Sequence, residues 1–269
     1  MKLRDSSFAF QEAAVVAFPD TTRLAGYRAA LGLWSSLVAS NSHPITTTVA
    51  TFDSEPEIVA ESQQLAGADT QDAQTGVDVV FASTEAEPRL TFCFVNGLPE
   101  QKRVAQFADR LIGLLEERGV KRLVVAAAAN VSGVRDDAQL WVHMPQRSLG
   151  GQLAQSLASV QRLPAGGVDT NDVFLSALSN LADVSGIDDV GILVHGDKRP
   201  SGSTSRQRST FGGGNADDGD GAVVGALTRA LATACGGATD DAVASALETE
   251  ATRVCLDVES AAKGLSAFS

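Results

Sequence analysis

Two of the three histidines in this sequence, together with one aspartate, have the residue types and positions that acid–base chemistry requires. His143 and His195 fall at or near the ends of predicted strands, and Asp197 follows His195 closely. In open α/β sheets the crevice at the carboxyl ends of the strands binds ligands, and a histidine beside a carboxylate can transfer protons there. Because no nucleophile motif accompanies these residues, we interpret both histidines as strand-end residues that each make an ordinary hydrogen bond.

Two other short motifs suggest chemistry but fail on their spacing. Ser132 and Gly133 follow a predicted strand without the G-x-S-x-G pattern of a nucleophile turn. The acidic run Asp217–Gly221 resembles a calcium loop at first sight. If its last glycine takes the place of the loop glycine, Ala216 and Leu227 occupy the first and last ligand positions, and neither can bind the ion. The sequence therefore predicts no metal site and no cofactor.

The composition narrows the class of protein and of partner. The chain has 269 residues, of which 44% are hydrophobic, and its net charge is −12. No cluster of lysine and arginine is present, so we expect no nucleic-acid binding. No apolar run approaches 18 residues and no secretion signal is evident, which predicts no membrane span and a cytoplasmic location. We also expect the nucleus as a second compartment. The three cysteines fit neither a metal site nor a disulfide framework, so we expect reduced, packed thiols: Cys93, Cys235 and Cys255.

The elements that position these residues are clearest between Arg89 and Asn130. Two apolar runs without polar alternation, Leu90–Val95 and Leu123–Ala129, predict strands that are covered on both faces. Between them apolar residues recur with helical spacing, and Gly119 is suited to end the helix. This βαβ unit predicts a mostly parallel central sheet flanked by helices in three layers. The apolar face of the helix consists of Val104, Phe107, Ala108, Leu111, Ile112 and Leu115.

We expect a single domain over residues 1–269. Further elements are a strand at Ala13–Phe18, a helix that begins after Asn171, and a last buried strand at Val190–His195. Asp197–Gly221 is of low complexity and predicts a disordered insertion in the domain. A final helix leads to the C-terminal tail, residues 266–269.

Two segments of the chain resemble the proteasome assembly chaperone family. Phe107–Ala129 is similar to the central helix and strand of that family, and Asn171–Pro200 is similar to its later helix, turn and buried strand. The resemblance implies a nucleoside-phosphorylase-like α/β fold without an active site. It further implies a non-enzymatic chaperone that forms a heterodimer with a related chaperone subunit and binds alpha-type subunits while the alpha ring of the 20S proteasome assembles.

The resemblance also implies a partner-binding tail. One type of chaperone in the family ends in a hydrophobic residue, a tyrosine and any third residue. Ala267, Phe268 and Ser269 take those three places here, with a phenylalanine where the family has the tyrosine. An aromatic side chain beside a free carboxylate can enter a pocket on a partner. The implied pocket lies between neighbouring alpha subunits.

Two other functions remain open on the sequence alone. The first is a hydrolase or phosphorylase that acts on a nucleoside-like small molecule on the same scaffold, with His143, His195 and Asp197 in one polar pocket. It fails if these three side chains lie far apart or face the core. The second is a scaffold or adaptor without any role at the proteasome, which only the identity of its partners would distinguish from the chaperone.

Overall fold

The computed structural model describes residues 1–20, 25–40, 45–53, 56–59, 76–84, 88–129, 140–143, 157, 161–162, 172–195 and 216–236. These residues form eleven strands and four helices. The helices are Ala25–Ser40 (α1), Gln101–Glu117 (α2), Val173–Val184 (α3) and Ala216–Ala234 (α4). The strands are Lys2–Leu3 (β1), Ala13–Ala17 (β2), Ile45–Phe52 (β3), Pro56–Val59 (β4), Val77–Thr84 (β5), Thr91–Val95 (β6), Gly97–Pro99 (β7), Arg122–Ala129 (β8), Trp141–His143 (β9), Gln161–Arg162 (β10) and Asp188–His195 (β11).

The elements form the predicted three layers. Helices α1 and α4 pack together on one face of a nine-stranded sheet, and α2 and α3 pack together on the other. Strand β8 shows why, since its apolar residues alternate between the two faces: Val124 contributes to the core under α1 and α4, while Val125 contributes to the core under α2 and α3. A strand that is buried on both faces needs an unbroken apolar sequence, which is the signal that predicted β6 and β8.

The sheet is mixed, so the prediction of a mostly parallel sheet holds only for the central strands and for the edge pair β9–β10. The strand order is β1-β3-β5-β6-β2-β8-β11-β9-β10, in which β6, β2, β8 and β11 are parallel neighbours. The pairs β1–β3, β3–β5, β5–β6 and β11–β9 are antiparallel. A short connection such as the one between β5 and β6 can join only antiparallel neighbours, because a parallel pair needs a longer crossover.

Two predictions on connecting segments need correction. The acidic, weakly periodic sequence of Asp53–Gly76 predicts a surface loop, but its residues Pro56–Val59 form β4, which pairs with β7 in a separate two-stranded sheet. The insertion predicted at Asp197–Gly221 overlaps α4, which begins at Ala216. Carboxylates are favoured in the first turn of a helix, so the acidic run is compatible with helix as well as with loop. The rest of that insertion lies outside the described residues.

Helix α2 confirms the amphipathic helix that was predicted from the spacing of its apolar residues. Its bounds enclose the six predicted apolar positions, all buried, and Gly119 follows its end with a φ of 80°. Within the part of the chain described above, no helix is both long enough and apolar enough to cross a bilayer.

Candidate functional site at the carboxyl ends of the parallel strands

The four parallel strands end at one edge of the sheet, which we call the carboxyl edge. Asn96 follows β6, Asp20 follows β2 after a short turn, and Ala129 and His195 are the last residues of β8 and β11. This edge is where ligands bind in open α/β sheets, so its polar groups are the first candidates for function.

The carboxylate of Asp20 holds three elements of the carboxyl edge together. Its Oδ2 atom accepts a hydrogen bond of 2.7 Å from the amide of Gly26 in α1. The same atom accepts a hydrogen bond of 2.9 Å from the amide of Ala128 in β8. The first of these bonds satisfies an amide in the first turn of α1, and the second ties the same carboxylate to β8. A carboxylate that binds two backbone amides stabilises the turn between β2 and α1.

Gly26 lets α1 contact the sheet backbone directly. A Cβ atom at this position would lie 1.9 Å from the carbonyl oxygen of Ala126 and 2.8 Å from the α-carbon of Ala127. No side chain fits in that space. Gly26 could not be recognised from the sequence, because a single glycine in a helical pattern does not reveal what it packs against.

Tyr27 and Asn96 make a second polar contact at this edge. The hydroxyl of Tyr27, the single tyrosine of the chain, donates a hydrogen bond of 3.0 Å to Oδ1 of Asn96, and both residues are buried. The backbone amide of Asn96 donates a hydrogen bond of 3.0 Å to the backbone carbonyl of Asp78. These groups therefore bind other parts of the chain, as Asp20 does, and their role is to fix α1 on the ends of the strands.

His143 lies in a different cluster, toward the amino end of β11. Its Nε2 atom is 3.7 Å from Oδ2 of Asp189, whose side chain is buried. The same oxygen of Asp189 accepts a hydrogen bond of 2.6 Å from the hydroxyl of Ser179 in α3. In a serine triad the histidine lies between the serine and the carboxylate, whereas here the carboxylate lies between the other two. His143 is therefore not placed to remove the proton of Ser179.

The three residues of the enzyme hypothesis are not gathered by the described structure. His143 pairs with Gly191 and His195 pairs with Ala129, so the two histidines are four residues apart along β11. That offset corresponds to roughly 13 Å of extended strand. Asp197 lies outside the described residues. Across the described ranges, no three side chains of histidine, cysteine, aspartate or glutamate come together to hold a metal ion.

The prediction of packed thiols is confirmed for two of the cysteines. Cys93 and Cys235 are free and buried, while Cys255 lies outside the described residues. Burial raises the pKa of the Cys93 thiol far above its usual value of 9.0. Burial also raises the pKa of Cys235 to about 12, although Arg122 acts in the opposite direction. Since the thiolate is the reactive form, both cysteines should be inert in the folded protein.

A thiol assay tests this. In a Cys255→Ser variant at about pH 8, we expect an aromatic disulfide reagent to release no thiol signal from the folded protein and two equivalents after denaturation. Fast release of one equivalent before denaturation would show that Cys93 or Cys235 is accessible.

Comparison with known proteins rests on structure. No protein-family model matches the sequence, and no curated protein matches it. The structure is similar to PbaB of Pyrococcus furiosus, an archaeal proteasome activator, with 11% identity, a TM-score of 0.60, and coverage of 96% of this chain and 97% of PbaB. It is similar to PbaA of the same organism, an archaeal homolog of proteasome-assembly chaperone, with 13% identity, a TM-score of 0.54, and coverage of 97% and 98%.

The chain shares the fold of PbaA and PbaB. A protein of unknown function from Corynebacterium glutamicum shares this fold too, with 15% identity, a TM-score of 0.53, and coverage of 97% of this chain and 87% of that protein. The predicted resemblance to the proteasome assembly chaperone family is thus confirmed at the level of the fold. The tail residues Ala267, Phe268 and Ser269 lie outside the described residues, so their role stays a prediction.

Proposed function

We propose that this protein is a non-enzymatic chaperone of proteasome assembly. The observation that carries the proposal is the similarity to PbaA, because it extends over 97% of this chain and 98% of PbaA. PbaA is an archaeal homolog of proteasome-assembly chaperone, and PbaB is an archaeal proteasome activator.

The carboxyl edge supports a binding role over a catalytic one. Asp20 binds two backbone amides, and Tyr27 binds Asn96, so these groups serve the fold. Catalysis needs an acid, a base or a nucleophile whose bonding capacity is directed at the substrate. The cluster of His143, Asp189 and Ser179 lies toward the amino ends of the strands and has the wrong order for a nucleophile relay.

The proposed partners are a related second chaperone subunit and alpha-type proteasome subunits, in the cytoplasm. The contact to the alpha ring is assigned to the tail Ala267–Ser269. Phe268 supplies an aromatic side chain, and the terminal carboxylate can pair with a lysine or with backbone amides on the partner. Phe268 lacks the hydroxyl of a tyrosine, so this tail should bind by apolar contact and by its carboxylate alone.

Deleting Ala267–Ser269 is expected to weaken binding to alpha-type subunits by about tenfold or more, because the aromatic anchor and the carboxylate are lost together. The measurement is the affinity of the purified chain, immobilised through its N-terminus, for alpha-type subunits from the same cells. Thermal unfolding of the deletion variant should match that of the full chain.

Two variants of full length separate the contributions of the tail. Phe268→Ala keeps the carboxylate, and a short extension beyond Ser269 keeps the phenylalanine but moves the carboxylate. An affinity that is unchanged in all three variants would remove the tail from the proposal. Failure of the tagged chain to recover any alpha-type subunit from its native cells would contradict the proposed function itself.

A further inference from the structure

Helix α3 carries apolar side chains beside the face that it buries in the protein core. Val173 and Val184 are the large hydrophobic residues with high exposure in the described part of the chain, at 44% and 85%. They are the two ends of a row of four residues with spacings of 4, 4 and 3, which we call the α3 stripe. The two middle residues of the row are half-buried and pack against the core, so only the ends are highly exposed. At about 100° per residue, the stripe fits within about 80° of arc beside the buried face. The buried face is Phe174, Leu175, Leu178 and Ala182, and the α3 stripe is Val173, Ala177, Leu181 and Val184.

The α3 stripe lies on the shoulder of α3 that is nearer to α2. Ser179 marks the other shoulder, because its hydroxyl binds Asp189 of β11 on the side where β9 follows in the sheet. Helix α2 joins β6 to β8 and lies toward the opposite side of α3, against which it packs. The stripe therefore borders the outer groove between the two helices.

The facing shoulder of α2 is acidic. Arg103 marks the far shoulder, because its guanidinium lies 4.9 Å from the ring centre of Phe52 and donates to the carbonyl of Asp53. Phe52 ends β3, on the side of the sheet remote from β11. By the same helical spacing, Asp109 and Glu116 lie on the shoulder nearer α3, and both are exposed. Lys102 lies in the same row, seven residues before Asp109, but its charge is paired with Glu100.

We propose that the groove between α2 and α3 binds an amphipathic helix of a partner protein, with an apolar seam flanked by lysine or arginine. The α3 stripe supplies the apolar floor, and Asp109 and Glu116 supply complementary charge at the rim. Helix α3 carries no basic residue that would repel such a helix. This surface belongs to the described fold and is separate from the tail residues.

Size and charge disfavour a second copy of this chain as the occupant. The stripe is about 16 Å long, one short helix, whereas a stable dimer buries about 800 Å² on each partner. Two copies would also bring acidic shoulders together in a chain with a net charge of −12. A basic helix matches both the length and the sign of the groove.

A labelled synthetic peptide provides the test with the full chain. The peptide is a cationic helix of about four turns with leucines at the spacing of the stripe and lysines on both flanks. Its control has the same composition in an order that breaks the apolar seam. We expect the seam peptide to bind at least about tenfold more tightly than the control, by fluorescence anisotropy.

Variants of the chain locate the binding. Val173→Ser with Val184→Ser should weaken the seam peptide about tenfold, and both sites are exposed enough that the fold is kept. Asp109→Asn with Glu116→Gln should reduce the loss of affinity on going from about 50 to about 500 mM NaCl. Gln106→Glu changes an exposed residue outside the groove, so this variant should still bind the seam peptide more tightly than the control peptide.

Three results would overturn the proposal. Equal affinity for the seam and control peptides would mean that net charge alone attracts them. Unchanged binding in the double valine variant would place the peptide elsewhere on the chain. A dimer in light scattering that Val184→Ser dissociates would show that a second copy occupies the groove. None of these results depends on alpha-type subunits, so they are independent of the proposed function.

Discussion

Replacing Gly26 with alanine is expected to lower the free energy of unfolding by about 3 kcal/mol or more, or to prevent folding. The added methyl group would lie 1.9 Å from the carbonyl oxygen of Ala126, and the atom it meets belongs to the backbone of a central strand. Neither partner can move without separating α1 from β8 and straining the Asp20 hydrogen bond to the same helix turn. Urea unfolding monitored by circular dichroism gives the value.

Gly113 provides the matched control. It also lies inside a helix, α2, but apart from the adjoining residues and backbone of that helix no atom lies within 4 Å of the position that its Cβ would take. Gly113→Ala should therefore stabilise the protein by about 0.5 to 1 kcal/mol, the usual gain in helix propensity. Similar effects for the two substitutions would mean that α1 does not contact β8 as closely as described.

The same two glycines illustrate what the sequence could predict. Helix α2 and strands β6 and β8 follow from local patterns, because an amphipathic period and unbroken apolar runs need only neighbouring residues to be recognised. Strand order does not, since β2 enters the sheet between β6 and β8 from far away in the chain. The close approach at Gly26 depends on that order, so its helical sequence context could not reveal it.

In the candidate site, too, local contacts could be predicted from the sequence and long-range contacts could not. Asp20 follows a strand and precedes a helix, which is a local signal for a residue that binds helix amides, and its Oδ2 atom accepts from Gly26 in the first turn of α1. Its second bond goes to Ala128, 108 residues further along, and no local pattern encodes that contact. His143 and His195 were both placed near strand ends, but the antiparallel direction of β9 separates them. Long-range pairing therefore decided which polar residues meet.

The α3 stripe was visible in the sequence only as part of a helix. The pattern predicted a helix over these positions, but it could not tell which apolar residues the sheet would cover. A helix over a sheet buries one face, and the packing of α2 decides how much of the adjacent shoulder remains open. Exposure of Val184 is thus a property of the assembled layers.

Replacing Asp20 with alanine is expected to lower the free energy of unfolding by about 3 kcal/mol, because two backbone amides, of Gly26 and Ala128, lose a charged acceptor. Asp20→Asn keeps an acceptor oxygen without the charge and should cost about half as much. Hydrogen exchange of the Gly26 and Ala128 amides should become faster in the alanine variant. Faster exchange at these two amides, without a similar change elsewhere, would distinguish the loss of this contact from general destabilisation.

Asp5 is the control that isolates the effect of position. Its Oδ1 atom also accepts two hydrogen bonds, from the amide and the hydroxyl of Ser7 at 2.8 and 2.6 Å, and these bonds lower the pKa of Asp5. Both bonds are exposed and join residues two apart, so Asp5→Ala should change stability little.

A loss of stability for Asp20→Ala no larger than for Asp5→Ala would contradict the role of Asp20. A larger loss, with exposure of the Ala128 amide, would show that one carboxylate connects β2, α1 and β8 at the edge where enzymes of this architecture bind their substrates. A carboxylate committed in this way to the backbone is not available for catalysis, which is why its stability effect also bears on the choice between a chaperone and an enzyme.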